Sequence, residues 1–184
     1  EHALMYKYKV SPTGAELLEF AADDMFVAGQ AAMITSGSWS IQTYVDALGA
    51  DCQIAELPVK VTKGATTHGL AYCVAANSSN KEAAIKFVEF AASKEAQEAT
   101  AKAAIPAYEG AADIWKELYP DQDVQILLDS VEYASPNPYY ANNDSEVAQI
   151  FTDTISAIWT DENADIQSML DDAQEKMMET VNKE

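Results

Sequence analysis

The chain has 184 residues, with 30 acidic side chains against 11 basic ones and a formal charge of −19; every basic residue is Lys, and Arg is absent. Displacing counterions from phosphates needs clustered Lys or Arg, so this composition excludes nucleic-acid binding, and an anionic membrane surface would repel the chain. A hydrophobic content of 48%, with 9 Tyr, 5 Phe and 3 Trp, excludes intrinsic disorder and suffices for one large domain or two small ones.

Without the bidentate guanidinium fork, a small ligand is expected to be neutral or cationic rather than anionic. No stretch approaches the ~20 apolar residues that cross a bilayer. The opening Glu1-His2-Ala3-Leu4 has no initiator Met, basic n-region or cleavage site, and reads as the interior of a longer protein. Cys52 and Cys73 lie on apolar segments at a spacing that fits no metal or redox motif; buried free thiols are expected, with a mutual disulfide as the alternative.

Residues 12–22 read as a loop running into a short helix. Asp23 is placed to cap a turn over residues 24–28, with Gly29 as its stop. The apolar run 31–35 is expected to be a buried strand, and Ser36-Gly37-Ser38 a turn into a helix from about Trp39 to Leu48, closed by Gly49. A second strand is expected over 52–59, a polar loop over 60–69 and a third strand over 70–75. Asn77-Ser78-Ser79-Asn80 precedes a helix over 81–92 with the stripe Ala84, Phe87, Val88 and Ala91. Ser93 starts the next helix, expected to run through about Ala104, where Ile105-Pro106-Ala107 stops it. The last third reads as helices over 113–119, 124–131, 145–159 and 164–181, interrupted at Pro136-Asn137-Pro138. Short strands separated by helices mean α/β.

Catalytic chemistry finds little to use. Glycoside cleavage needs two carboxylates across a bond, yet Asp23, Asp24, Asp113 and Glu146 each sit where an acid opposes a helix N-terminal dipole. A nucleophilic site has only His2 and His68 as bases and no Gly-x-Ser-x-Gly elbow. Zinc lacks its ligand spacing. Asp161-Glu162-Asn163-Ala164-Asp165 approaches a calcium loop, but Ile166 stands where the sharp turn needs Gly, so helix capping is the expected role. No catalytic residue, metal or cofactor is expected.

The informative segment is Phe26-x-x-Gly29-x-Ala31-Ala32-Met33-x-x-Ser36-Gly37-Ser38-Trp39. It puts Trp39 on the opening turn of a helix, at the end of an expected strand, where open α/β sheets collect ligands. An indole beside free N–H groups suits a sugar, which has an apolar C–H face and hydroxyls around its rim. Core packing is the competing role for Trp39.

This segment resembles the signature of the family 1 extracellular solute-binding proteins, the carbohydrate receptors of ABC importers. The likeness continues in order through residues 68–84, Phe87-Val88-Glu89-Phe90, Ser93-Lys94-Glu95-Ala96-Gln97, Ile105-Pro106-Ala107 and Pro136-Asn137-Pro138-Tyr139-Tyr140. It departs at His68-Gly69-Leu70, where the family often has Gly-Gly-Trp or Gly-Gly-Tyr.

The resemblance implies an incomplete two-lobed, periplasmic-binding-protein-like type II fold. Residues 1–67 would belong to the C-terminal lobe, 68–112 would cross into the N-terminal lobe, and 113–184 would return as helices. It implies a monomeric receptor, periplasmic or lipid-anchored, that hands a neutral sugar or oligosaccharide to permease subunits. Trp39 would stack on the sugar, Gly37 and Ser38 would donate hydrogen bonds, and Tyr139, Tyr140 and His68 would be further contacts. The rivals are a glycoside-active enzyme domain and a glycan-adhesion module without transport.

Overall fold

A computed structural model describes residues 1–108, 110–139 and 143–183. The chain divides into two units, one of residues 1–34 with 138–184 and one of residues 35–137.

The first unit is helical. Two long helices, α9 (Asp144–Thr160) and α10 (Ile166–Val181), pack on each other, as their apolar stripes predict. Val147 and Ile158 of α9 and Ala173 of α10 are buried in this pair. Asp165 caps α10 by accepting from the Ser168 N–H at 3.2 Å, the role expected of this acidic stretch. The far end is tied by Lys183 to Glu146 at 2.6 Å and by the Asn143 amide donating to the Thr180 carbonyl at 2.7 Å.

Three short helices precede them: α1 (His2–Tyr6), α2 (Gly14–Glu19) and α3 (Ala22–Val27). Tyr6 Oη donates to the Trp159 carbonyl at 2.8 Å and His2 Nε2 to the Asp161 carbonyl at 2.9 Å, fastening α1 to the end of α9. Thr13 and Glu16 form a reciprocal capping box on α2. Gly14, the first residue of α2, lies so close to α9 that a Cβ there would sit 2.7 Å from the Trp159 carbonyl group.

The second unit is built around Ile41, Ala101, Trp115, Tyr119 and Val124, with Val45, Ile54, Ile105, Leu118, Leu127 and Leu128 packed against them. Its helices are α4 (Ile41–Leu48), α5 (Lys81–Ala91), α6 (Lys94–Ala99), α7 (Ala112–Glu117) and α8 (Gln125–Ser130). Trp115 and Tyr119 meet edge to face, 5.5 Å between centroids. Tyr119 Oη donates to Gln42 Oε1 at 3.2 Å, and Gln122 Nε2 donates to the Gly49 carbonyl at 3.1 Å, so α4 is held at both ends. Burial, aided by the nearby Asp46 charge, pushes the Tyr119 phenol above its usual value.

The strands differ from expectation. Residues 31–35, 52–59 and 70–75 belong to no ladder among the described residues. Met33 and Leu70 are each 88% exposed. A strand exists only through a neighbour that accepts and donates its backbone bonds, and apolar alternation cannot supply that neighbour. The one ladder described is parallel, β1 (Ala65–Thr67) against β2 (Ala134–Pro136), in the register Ala65↔Ala134, Thr66↔Ser135, Thr67↔Pro136.

Three further expectations need correction. Cys52 is a buried free thiol, pushed above its ordinary pKa by desolvation, whereas Cys73 is free but exposed on the uncovered 70–75 segment. Ala91 of the α5 stripe is buried, but Phe87 is exposed and meets only the edge of Tyr72 in the described aromatic contacts. The helix after Ser93 ends at Ala99, earlier than Pro106 requires.

With no Arg available, Gln amides do part of the work of binding Asp. Gln42–Asp46, Gln125–Asp129, Gln149–Asp153 and Gln167–Asp171 are all four residues apart and bonded at 2.6–2.8 Å. No helix among the described residues is long and apolar enough to cross a membrane.

Candidate ligand-binding site

Ser38–Ser40 form a single 3-10 turn that leads directly into α4. The turn closes through the Ser40 N–H donating to the Gly37 carbonyl at 3.1 Å and the Ile41 N–H donating to the Ser38 carbonyl. Ile41 is a buried core residue, so the turn is anchored two residues beyond Trp39. Ser36 Oγ donates to Ser40 Oγ at 3.1 Å across the outside of the turn.

That anchoring leaves the indole in the open. Trp39 is 61% exposed and stands apart from the buried cluster of its unit. Gly37 lies directly under its six-membered ring: a Cβ there would fall well inside contact distance of Cζ3, Cη2 and Cε3. Ser38 and Gly37 are half-buried. Among the described residues the N–H groups of Ser38 and Trp39 have no hydrogen-bond partner, as expected at the opening of a helical turn.

His68 comes to the same place by another route. It follows β1, at the carboxyl end of a parallel strand, where open α/β sheets present their ligand residues. Its imidazole lies 5.5 Å from the indole, centroid to centroid, with the planes tilted by 46°. The approach to β1 is held by Lys63, which binds Glu56 at 2.6 Å and stands 5.4 Å over the Tyr133 ring. The hydrogen bond to Glu56 raises the Lys63 ammonium above its usual pKa.

The structure therefore brings Gly37, Ser38, Trp39 and His68 together. Tyr139, 77% exposed, belongs to the other unit, and Tyr140 lies outside the described residues. What the sequence reasoning missed is the ladder that delivers His68. Its only local sign was the β-branched pair Thr66-Thr67 inside a polar stretch.

Of the carboxylates considered for catalysis, two form ion pairs. Asp113 binds Lys116 at 2.7 Å, and that hydrogen bond lowers its pKa. Glu146 binds Lys183. Asp23 and Asp24 lie in the first turn of α3. No group of three or more His, Cys, Asp or Glu arranged for a metal exists among the described residues.

No curated protein sequence matches the chain. Among solved structures, an ABC substrate-binding protein from Listeria monocytogenes, in complex with cycloalternan, is similar with a TM-score of 0.83 at 18% identity. The match covers 100% of this chain and 48% of that one, so the chain spans about half the length of that relative and shares its fold. The periplasmic-binding-protein-like class expected from the resemblance is thereby found. The sequence model of the bacterial extracellular solute-binding proteins matches residues 5–123, well over half of the chain. The chain belongs to the bacterial extracellular solute-binding proteins, a family of binding proteins that work outside the cytoplasm.

Proposed function

We propose that this chain is part of a receptor that captures a neutral sugar or oligosaccharide outside the cytoplasm and passes it to the permease of an ABC importer. The observation that carries the reading is the exposed Trp39 indole, backed by Gly37 and flanked by His68. An indole held open at a fixed orientation costs hydrophobic surface in water and recovers it by stacking on the C–H face of a sugar ring. The N–H groups of the opening turn and the Ser38 hydroxyl supply donors and an acceptor for hydroxyls at the ring's rim. A net charge of −19 without Arg favours an uncharged ligand over an anionic one.

The similar Listeria protein supports this choice, because its structure holds cycloalternan. Binding that engages two lobes would shift the receptor toward a closed state, which a permease can distinguish from the open one. Tyr139 and Tyr140 are retained as further contacts on this reading. The protein acts as a monomer, periplasmic or lipid-anchored, and performs no covalent chemistry.

The test is a thermal-shift screen of neutral oligosaccharides on the intact receptor, followed by calorimetry on Trp39→Ala. A saccharide that stabilises the wild type and loses affinity in the variant supports the proposal. Release of hydrolysis products during incubation would replace it with the glycoside-active alternative, and unchanged affinity in Trp39→Ala would favour an adhesion or scaffold role.

A further inference from the structure

We infer that Gly37 is a positioning residue, whose missing side chain sets the orientation of the Trp39 plate; the inference rests on the sugar-binding reading for its functional consequence, but not for its geometry. Gly37 has φ −121° and ψ 176°, extended backbone that any residue adopts. The glycine is therefore not required by the chain's path. It is required by space, because the three atoms nearest to an added Cβ all belong to the six-membered ring of Trp39.

The consequence follows from which group would yield. The atoms in conflict lie at the far end of a side chain that turns about two bonds, and the indole is mostly exposed. An added methyl would swing the ring away and leave the backbone in place. The ring would then leave its 5.5 Å, 46° relation to His68. Gly37 thus acts through Trp39 rather than by touching ligand, and it leaves one face of the indole seated on backbone. The plate is one-sided, suited to stacking a single sugar face rather than sandwiching a ring.

The experiment uses the intact protein labelled with 5-fluorotryptophan, in which the fluorine signals of Trp39, Trp115 and Trp159 are each assigned by their loss in the corresponding Trp→Phe variant. In Gly37→Ala the Trp39 signal should move while those of Trp115 and Trp159 stay, with the unfolding midpoint within about 2 °C of wild type. Affinity for the stabilising oligosaccharide should fall about tenfold. Gly37→Ala added to Trp39→Ala should cost no further affinity, since the glycine then has no ring to accommodate. An unmoved Trp39 signal, or an equal loss of affinity in both backgrounds, would overturn the proposal. Should Gly37→Ala not fold, the double variant decides: recovery supports a clash with the ring, and continued misfolding refutes it. If the wild type binds no oligosaccharide, the sugar reading fails, and the fluorine shift still settles the positioning role.

Discussion

The indole of Trp39 and the imidazole of His68 lie 5.5 Å apart and tilted by 46°, one carried by the turn into α4 and the other by the end of β1. Two elements distant in the chain thus converge on one aromatic pair. Replacing Trp39 by Ala removes a stacking surface of roughly 100 Å², worth about 2–3 kcal/mol, so saccharide affinity should fall roughly 30- to 160-fold. His68→Ala should cost less, about 1 kcal/mol or fivefold, because it removes a flanking polar group and leaves the plate. Calorimetric titration of both variants checks the ranking; a larger loss in His68→Ala would invert the assignment of roles.

Gly14 predicts a stability effect remote from the ligand. Its absent side chain lets α2 approach the Trp159 carbonyl, where a Cβ would stand at 2.7 Å against backbone that cannot rotate aside. Gly14→Ala should therefore destabilise the first unit by about 1–3 kcal/mol. Urea unfolding followed by far-ultraviolet circular dichroism measures it. Gly37→Ala, whose clash is with a movable ring, provides the contrast.

The capping box of α2 predicts a pH dependence with a definite sign. The Thr13 backbone N–H, and then its hydroxyl, hold the Glu16 carboxyl below its ordinary value of 4.5. The folded state therefore releases this proton more readily than the unfolded state. The stabilisation is complete above the unfolded value and is lost as pH falls through the lowered folded value. The difference in unfolding midpoint between wild type and Glu16→Ala should be constant near neutrality and shrink below about pH 4.5. A gap that widens toward acid would contradict this linkage.

The two thiols should separate by accessibility. Cys73 is exposed, while Cys52 is buried and its thiol is raised by desolvation, which lowers its thiolate fraction. Ellman's reagent should modify Cys73 rapidly in the native protein and reach Cys52 only in denaturant. Rapid reaction of both under native conditions would show that the pocket around Cys52 opens readily.

The helices were legible in the amino-acid pattern because each is specified by its own residues. Val147 and Ile158, spaced along one stripe, declared α9, and Asp165 at the head of the next stripe declared the start of α10. The strands were not legible to the same degree. Residues 31–35 and 70–75 carry strong apolar and β-forming signals, yet Met33 and Leu70 stand in solvent without ladder partners among the described residues. In contrast, β1 and β2 do pair although Ala-Thr-Thr and Ala-Ser-Pro alternate nothing. Pairing is decided by what lies alongside, which no local window contains. Within the site, Trp39 was readable from the small-residue turn before it, and the adjacency of His68 was not, because it depends on that ladder. Gly37 was readable as a turn residue, while the space its ring neighbour needs is set only by the folded turn.

The Gln–Asp bonds along the helices have an effect on how the molecule behaves among its copies. An amide satisfies a carboxylate's lone pairs but cancels none of its charge, so these four pairs leave the excess of −19 undiminished. Neighbouring molecules consequently repel through a field that reaches about a Debye length, ~8 Å at physiological ionic strength. At high concentration, copies of this chain should therefore keep apart, and added salt should let them crowd before it alters their shape.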